Sequence, residues 1–407
     1  MVLIPEISEL QTVLAGSFGS GWKLLKHDSK YLTAPGENYG STILALEIIY
    51  EENGQVKSEN LVAKLCPPTD LLKEAFLTTI TFKKETDAYI HACPAIGKFE
   101  TEFQIPELKR LDVFAKCYGA RMALTNNNNV DNDAVIILDN LKTQGYLVED
   151  RMKGFDLETS KIILKDLARL HATIVAMRKL KAEVFNEEVL PCLETINNGG
   201  VMVDGFISAA LTMASKIEEC KPYFDKLKAM TDERSTYGGL LFPTDSNKNF
   251  YTIVHTDFWL NNILILRDEF GNPIKTRIID FQLTDYGSPI RDLLFFLYTS
   301  VQIDVFDLYS DDLIQIYYQA FTECLLDYNC DLTDYSWEIF QQELNDVAPH
   351  ELYHIIFMLK PIFSEKGTVK SLDDIKISDF GKTDNLGKVY MAKIKQIIIA
   401  FAAKGWF

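Results

Sequence analysis

The chain has 407 residues, of which 47% are hydrophobic, so it can bury two sizeable cores and disorder is not expected. Lys and Arg number 41 against 58 Asp and Glu, which gives a formal net charge of −17. An acidic surface argues against nucleic acid or an anionic membrane as the main partner, because both are bound through basic patches. The net negative charge does not argue against ATP as a ligand, because its phosphates need positive groups only in their immediate surroundings.

Cysteine usage and the N-terminal sequence indicate the compartment. The seven cysteines are scattered and include no Cys-x-x-Cys, which is typical of reduced thiols in a cytosolic protein. No basic region precedes a long apolar run at the N-terminus, and no window reaches the ~18 apolar residues of a membrane span. We therefore expect a cytoplasmic protein without membrane insertion. Its oligomeric state is not readable from the sequence.

The start of the chain has the pattern of a β-meander. A short helix is expected within residues 6–15, then strands within 21–34 and 41–52, and a third strand over 58–66 after the turn signal Asn53-Gly54. The loop between the first two strands contains Gly36, Asn38 and Ser41, small residues that let backbone amides approach phosphate. By itself this loop is also an ordinary β-turn sequence.

Lys64 lies in the apolar third strand, where a buried amine needs a partner. Glu85, on the helix predicted over 81–92, is the expected partner, and Glu74 is a second candidate. In a kinase-like lobe, such a lysine contacts the α- and β-phosphates of ATP and a helix glutamate positions it. The alternative is a lysine that extends to solvent and an ordinary surface glutamate.

The next segments place a boundary between two lobes. Residues 115–141 predict two strands, and the second ends in a hinge at 139–141, where adenine would contact backbone groups near Asp139 and Leu141. From residue 142 the apolar period becomes helical, most clearly over 156–180. His171 on that helix is expected to be a packed or surface histidine and not a ligand.

The most specific pattern lies between residues 251 and 297. His255, Asp257 and Asn262 fit the general form of a kinase catalytic loop, in which Asp follows His by two residues and Asn follows Asp by five. Asp280 ends an apolar strand, and residues 262–267 and 275–281 predict a hairpin that returns Asp280 towards Asn262. Asp257 would orient and deprotonate a hydroxyl, while Asn262 and Asp280 would hold Mg²⁺.

The role of Asp292 is open. Asp292 is either only a negative charge that favours the N-terminus of the following helix, or a residue that braces the catalytic loop.

The acceptor is expected to lie among apolar residues. Residues 258–260 and 295–298 are expected to form walls around it, with Trp259, Tyr286 and residues 184–230 as further contributors.

The chain resembles the ecdysteroid kinase-like (CHK kinase-like) proteins, relatives of choline and aminoglycoside kinases. The resemblance rests on residues 36–41, 62–65, 82–89, 137–141, 167–172, 255–262 and 279–282. It implies an α+β, protein-kinase-like bilobal fold, with an N-lobe over 1–141 that contains an antiparallel sheet and a mainly helical C-lobe over 142–407. It also implies ATP, Mg²⁺ and a small-molecule hydroxyl acceptor, with Asp257 as base and Lys64 as phosphate anchor.

This sequence departs from the pattern at two positions. Thr256 stands where such families commonly have glycine, which puts the flexibility of the loop in question. Gln282 follows Asp-Phe where protein kinases have glycine, and no Ala-Pro-Glu element follows. Gln282 and the missing Ala-Pro-Glu element argue against a protein acceptor. The family resemblance and the apolar segments at 258–260 and 295–298 favour a lipophilic alcohol such as an ecdysteroid or a hydroxylated xenobiotic.

Two other classes of function remain open. A kinase-like protein that binds ligand without catalysis is one. The other is a zinc metalloprotease, because residues 350–354 read HELYH, a literal HExxH motif. Pro349 predicts that a helix starts at this motif, so the motif would lie in the first turn of that helix.

Overall fold

The computed structural model describes residues 4–19, 21–32, 40–125, 129–193, 201–236, 247–364 and 381–407. Its N-terminal part contains one antiparallel sheet with the strand order β1-β2-β3-β5-β4. The strands are β1 (Lys23–Tyr31), β2 (Thr42–Glu52), β3 (Gln55–Leu65), β4 (Cys117–Arg121) and β5 (Val135–Asp139).

The hairpin between β2 and β3 follows from local sequence. Alternate residues of β2, from Leu44 to Tyr50, are buried, which is the period of a strand with one face on a core. Asn53 and Gly54 have φ values of 52° and 75°, the left-handed backbone that a two-residue hairpin turn requires. The predicted turn is thereby confirmed.

Short helices accompany the sheet. They are α1 (Leu10–Leu14), α2 (Asp70–Ala75), α3 (Thr78–Asp87) and α4 (Cys93–Glu102). Helix α1 packs with one face of the sheet to form a small hydrophobic core. Helices α3 and α4 contribute to a second and larger core, which also contains residues of the helical C-terminal part.

The C-terminal part is mainly helical. Its helices are α5 (Leu157–Leu180), α6 (Ala182–Val184), α7 (Val201–Ala214), α8 (Phe224–Thr236), α9 (Ile290–Ser300), α10 (Ile303–Asp327), α11 (Trp337–Phe363) and α12 (Lys388–Lys404). Two small antiparallel pairs interrupt them, β6 (Thr252–Val254) with β9 (Asp285–Gly287), and β7 (Ile263–Arg267) with β8 (Pro273–Ile278). An antiparallel N-terminal sheet and a helical C-terminal part form the bilobal, kinase-like fold that the sequence predicts. The lobe boundary at residues 141 and 142 stays a prediction.

Helix α11 contradicts the predicted helix start at Pro349. The helix begins at Trp337, where the Ser336 side chain caps it, and it continues through Pro349 and Pro361. A proline inside a helix costs about 3 kcal/mol. Burial of α11 side chains on both sides of Pro349, from Phe340 to Phe363, outweighs that cost.

Among the described residues, no helix combines the length and the apolar composition needed to span a bilayer.

Gly119 on β4 is predicted to be irreplaceable for packing. A Cβ atom there would overlap the backbone carbonyl of Val13, just before the end of α1, and a backbone group cannot swing aside. We expect Gly119→Ala to lower the free energy of unfolding by about 1–3 kcal/mol in urea denaturation. Gly97→Ala is the control, because a Cβ meets no atom within 4 Å there and alanine favours helix α4. Equal stability of the two variants would contradict this account of the α1 contact.

Candidate active site

The β7–β8 hairpin brings Asn262 and Asp280 to the same end of two short strands. Ile263 pairs with Ile278 in the register, so the residues just outside the strands face each other across the open end. The backbone N–H of Ile279 donates to the carbonyl of Asn262 at 3.0 Å. His255 strengthens this junction, because its Nε2 bonds to the carbonyl oxygen of Ile279 at 3.0 Å.

Asp257 and Asn262 form a direct pair within the loop. Asn262 Nδ2 donates to Asp257 Oδ2 at 2.8 Å and to the Asp257 backbone carbonyl at 2.9 Å. Removal of the Asp257 carboxyl from water, together with the nearby charge of Asp280, raises the pKa of Asp257 above its ordinary value. Asp257 is therefore a better proton acceptor than an exposed aspartate.

The buried Lys64 side chain lies between two carboxylates. Its ammonium group forms an ion pair with Glu85 on α3 and a second one, at 2.8 Å, with Asp280. Burial alone would lower the pKa of Lys64, but the charges of Asp280 and Glu85 outweigh burial and raise it. Burial and the charge of Asp280 in turn raise the pKa of Glu85, against the opposing effect of Lys64. Glu74, the second candidate partner, is exposed on α2.

Asp292 braces the loop from the first turn of α9. One of its carboxylate oxygens accepts the backbone N–H of His255 at 2.6 Å and the other accepts that of Thr256 at 2.9 Å. The buried His171 ring contacts the same carboxylate at 3.3 Å and Tyr317 at 2.6 Å. His171 is thus packed, as predicted, and it supports Asp292.

Thr256 and Asp280 both have left-handed backbone, with φ values of 63° and 69°. This conformation costs a non-glycine residue about 1–2 kcal/mol, and a β-branched residue adopts it rarely. The Thr256 hydroxyl bonds to the carbonyl of Leu283, just after Asp280 and Phe281, so it offsets part of the strain and ties the two segments together. A glycine would be unstrained here but would lack this bond.

The structure describes only some of the other residues that are predicted to contact the nucleotide. Gly36 and Asn38 lie outside the described residues, whereas Ser41 is half-buried at the start of β2. The Asp139 carboxylate accepts the backbone N–H of Lys116 at 2.9 Å and the Gln144 amide at 2.7 Å, and Leu141 is buried beside it. These contacts fix the shape of the chain that follows β5.

The apolar segments expected to form acceptor walls are instead part of the core. Phe258 is fully buried, and residues 295–298 are at most 1% exposed. They face inward because helix α9 passes through the centre of the C-terminal half. Trp259 and Tyr286 are only half-buried and remain candidates for an acceptor surface.

The Glu351 and His354 side chains of the HELYH segment contact each other and neighbouring side chains in the folded protein. His354 Nδ1 contacts Glu351 Oε1 at 2.5 Å, and the His354 ring stacks on Phe295 with centroids 4.3 Å apart. Glu351 Oε2 also lies 3.7 Å from the Arg291 guanidinium. In the part of the chain that the structure describes, no three His, Cys, Asp or Glu residues are grouped to hold a metal ion.

Arg291 is a supporting residue that the sequence patterns did not reveal. It joins Asp285 of β9, at 2.6 Å, to Glu351 of α11. Strand β9 pairs with β6, the strand that leads into the loop at His255. The signal in the sequence is an Arg-Asp pair at the start of an otherwise apolar helix, where a buried cation needs carboxylate partners.

The fold and this cluster of charged groups define a kinase-like phosphotransferase. A model of the ecdysteroid kinase-like family matches residues 35–330, and the chain belongs to that family. It is accordingly a small-molecule kinase by class. No curated protein matches the sequence significantly.

Two solved structures with low similarity cover nearly the whole chain. A spectinomycin phosphotransferase in complex with ADP and spectinomycin is 12% identical, covers 95% of this chain and 96% of its own, and has a TM-score of 0.40. The AMP-bound complex of spectinomycin phosphotransferase is 12% identical, covers 91% and 92%, and has a TM-score of 0.34.

Asp292→Asn should loosen the loop and destabilise the protein. An amide has one acceptor oxygen, so one of the two loop N–H groups loses a charge-assisted bond worth about 1.5–3 kcal/mol. Burial tends to raise the pKa of Asp292, but hydrogen bonds from His171 and the His255 backbone lower it below the ordinary value. The ionised Asp292 carboxylate therefore stabilises the folded protein fully at pH values above the ordinary pKa of about 4. This stabilisation is lost as the pH falls through the lower pKa that Asp292 has in the folded protein.

Urea denaturation at several pH values measures this effect. The difference in unfolding free energy between wild type and Asp292→Asn should be full at pH 7 and should narrow below about pH 4. Asp311→Asn is the control, because that side chain is 84% exposed. A difference that stays constant down to pH 3 would count against Asp292 as the titrating brace.

Proposed function

We propose that this protein transfers the γ-phosphoryl group of ATP to a hydroxyl of a small lipophilic alcohol, with Mg²⁺ as cofactor. The observation that carries the proposal is the Lys64 ammonium held between Glu85 and Asp280, beside the Asp257–Asn262 pair. Membership of the ecdysteroid kinase-like family supports a small-molecule acceptor.

The donor atoms that remain in the cluster fit a magnesium ion. Asn262 uses its nitrogen for both bonds to Asp257, which leaves its amide oxygen as a ligand. Asp280 bonds to Lys64 through Oδ1 and has Oδ2 in addition. Mg²⁺ prefers oxygen ligands and is commonly held by one or two carboxylates together with substrate phosphates. When bound, it would neutralise phosphate charge during transfer.

Asp257 is the proposed catalytic base. It would accept a hydrogen bond from the acceptor hydroxyl and then its proton, as the hydroxyl oxygen bonds to phosphorus and the bond between phosphorus and the ADP oxygen breaks. The raised pKa of Asp257 makes its carboxylate a stronger base for this proton transfer. Asn262 holds the carboxylate in one orientation.

Lys64 is the proposed phosphate anchor, and Glu85 its positioning partner. The raised pKa keeps the Lys64 amine protonated, as contact with phosphate oxygens requires. Backbone groups of the loop with Gly36, Asn38 and Ser41 would cover the phosphates, and the hinge at Asp139 and Leu141 would contact adenine.

The proposed acceptor is a lipophilic alcohol such as an ecdysteroid or a hydroxylated xenobiotic. Support comes from the family and from the two half-buried aromatic side chains, Trp259 and Tyr286, near the loop. Burial of a ring system against such surfaces contributes about 25 cal/mol per Å².

Purified protein with Mg-ATP should phosphorylate a member of an ecdysteroid or lipophilic-alcohol panel. The readout is a mass gain of one phosphate on the acceptor with stoichiometric release of ADP. Transfer to choline, ethanolamine or a protein serine alone would refute the acceptor class and leave the kinase assignment intact. Nucleotide binding without transfer to any acceptor would indicate a catalytically inactive ligand-binding protein.

Asp257→Asn is the matched control for that assay. The substitution keeps the shape of the side chain but removes the proton acceptor, so turnover should fall by about 10²–10⁴-fold while ATP still binds. Turnover near the wild-type rate would show that another group acts as the base.

The two proposed metal ligands should differ in their effect on nucleotide binding. Asp280 would bring a full negative charge to the cation, whereas Asn262 would bring a neutral oxygen. We expect Asp280→Ala to abolish the Mg²⁺-dependent part of ATP affinity in titration calorimetry, and Asn262→Ala to weaken it less. Glu269→Ala, an exposed substitution in the turn between β7 and β8, is the control. Equal losses in both variants would contradict these roles.

A further inference from the structure

A cavity in the C-terminal half lies apart from the charge cluster described above. Its volume is about 350 Å³, within the range of roughly 300–1,000 Å³ that is usual for small-molecule pockets. Residues from the loop before α5, the junction of α9 and α10, the end of α11 and the start of α12 line it. None of the described residues that line it belongs to the proposed catalytic or nucleotide-binding set.

The charged side chains around this cavity are unbalanced. Lys153, Lys388 and Lys393 line it, and among the described lining residues Asp304 is the single carboxylate. This local excess of positive charge occurs on a chain whose formal net charge is −17. A cavity of this composition attracts an anion and disfavours a cation.

Lys393 is the buried member of this set, with an exposed fraction of 3%. Its ammonium donates to two neutral acceptors, the carbonyl of Val301 at 2.6 Å and Gln396 Oε1 at 3.3 Å. Burial lowers the pKa of Lys393 to about 7, and the charge of Asp307 on α10 opposes burial only in part. An amine in this position lacks a bonded carboxylate, so an anion beside it would offset the cost of burying its charge.

Two helices also begin at the cavity. Ile303 starts α10 and Lys388 starts α12, and both residues line it. No side chain among the described residues caps either helix. The first turn of α10 already contains Asp304, whereas the first turn of α12 contains no acidic residue, although the partial positive charge of a helix N-terminus favours one. The backbone N–H groups at the start of α12 are therefore suited to an anionic ligand.

The remaining walls are apolar, and they select the body of the ligand. Met152, Ile303, Phe363 and Val389 contribute carbon surface to the same space. We propose that this cavity binds an amphiphilic monoanion, a carboxylate attached to an apolar chain of moderate length. The carboxylate lies beside Lys393 and the start of α12, and the chain packs on the apolar walls. This binding does not depend on the proposed phosphoryl transfer.

Titration calorimetry of the intact protein with decanoate, without nucleotide and below micellar concentrations, tests the proposal. One decanoate should bind per chain. Decanol, which lacks the charge, should bind at least about tenfold more weakly, the factor that corresponds to one charged hydrogen bond. Acetate, which lacks the chain, should also bind at least about tenfold more weakly, because it loses the apolar surface that decanoate buries on the walls. Absence of decanoate binding, or equal affinity for decanol, would overturn the assignment.

Variants of α12 then locate the site. Lys393→Met should weaken decanoate binding by about tenfold or more, because it removes the amine and keeps the length of the side chain. Ala392→Leu should block binding sterically, since Ala392 lines the cavity, and it leaves Lys393 in place. Lys395→Met is the matched control on the same helix, because Lys395 pairs with Glu219 at the surface.

Thermal unfolding shows whether each variant is folded. If Lys393→Met does not fold, the Ala392→Leu variant decides the question by itself. Decanoate affinity that survives in a folded Ala392→Leu protein would place the ligand elsewhere and refute the proposal.

Discussion

The ion pairs of Lys64 with Glu85 and Asp280 are the contact on which the site depends. They join β3 of the N-terminal sheet, α3, and the segment after β8 through one buried ammonium group. Desolvating Lys64 and Glu85 is costly, and removal of the Lys64 amine would leave the buried Glu85 carboxylate without its partner. The cluster therefore fixes the two parts of the chain relative to each other at the point where the proposed phosphate contacts meet.

The loop that contains Asp257 is held in the same way, by groups outside it. Asp292 on α9 accepts two of its backbone N–H groups, and the Thr256 hydroxyl connects it to the segment after Asp280. Thr256 adopts a backbone conformation that suits glycine better. The strain of this conformation is accompanied by a hydrogen bond from the Thr256 hydroxyl that glycine could not form. The position of the Asp257 carboxylate is thus decided by a layer of supporting residues around it.

The HELYH segment shows why a short motif needs its surroundings. Its Glu351 and His354 bind each other, and through Arg291 and Phe295 they support α9 and β9. The same two residue types could bind zinc in another setting, since spacing along a helix fixes only which side chains share a face. In this protein, Arg291 lies beside Glu351 and Phe295 stacks on His354.

The sequence by itself determined the strands β1 to β3, the Asn53-Gly54 turn, the β7–β8 hairpin and the order of the two lobes, because alternation, turn chemistry and helical period are local properties. It also determined that Asn262 and Asp280 come close, since a short hairpin brings its two ends together. Only the tertiary structure decided that Glu85 and not Glu74 meets Lys64, that Asp292 braces the loop, and that residues 295–298 are core. It likewise decided that α11 continues through Pro349. Those outcomes depend on which faces of distant elements pack together, and burial energy summed over many contacts overrides the local preference of any one residue.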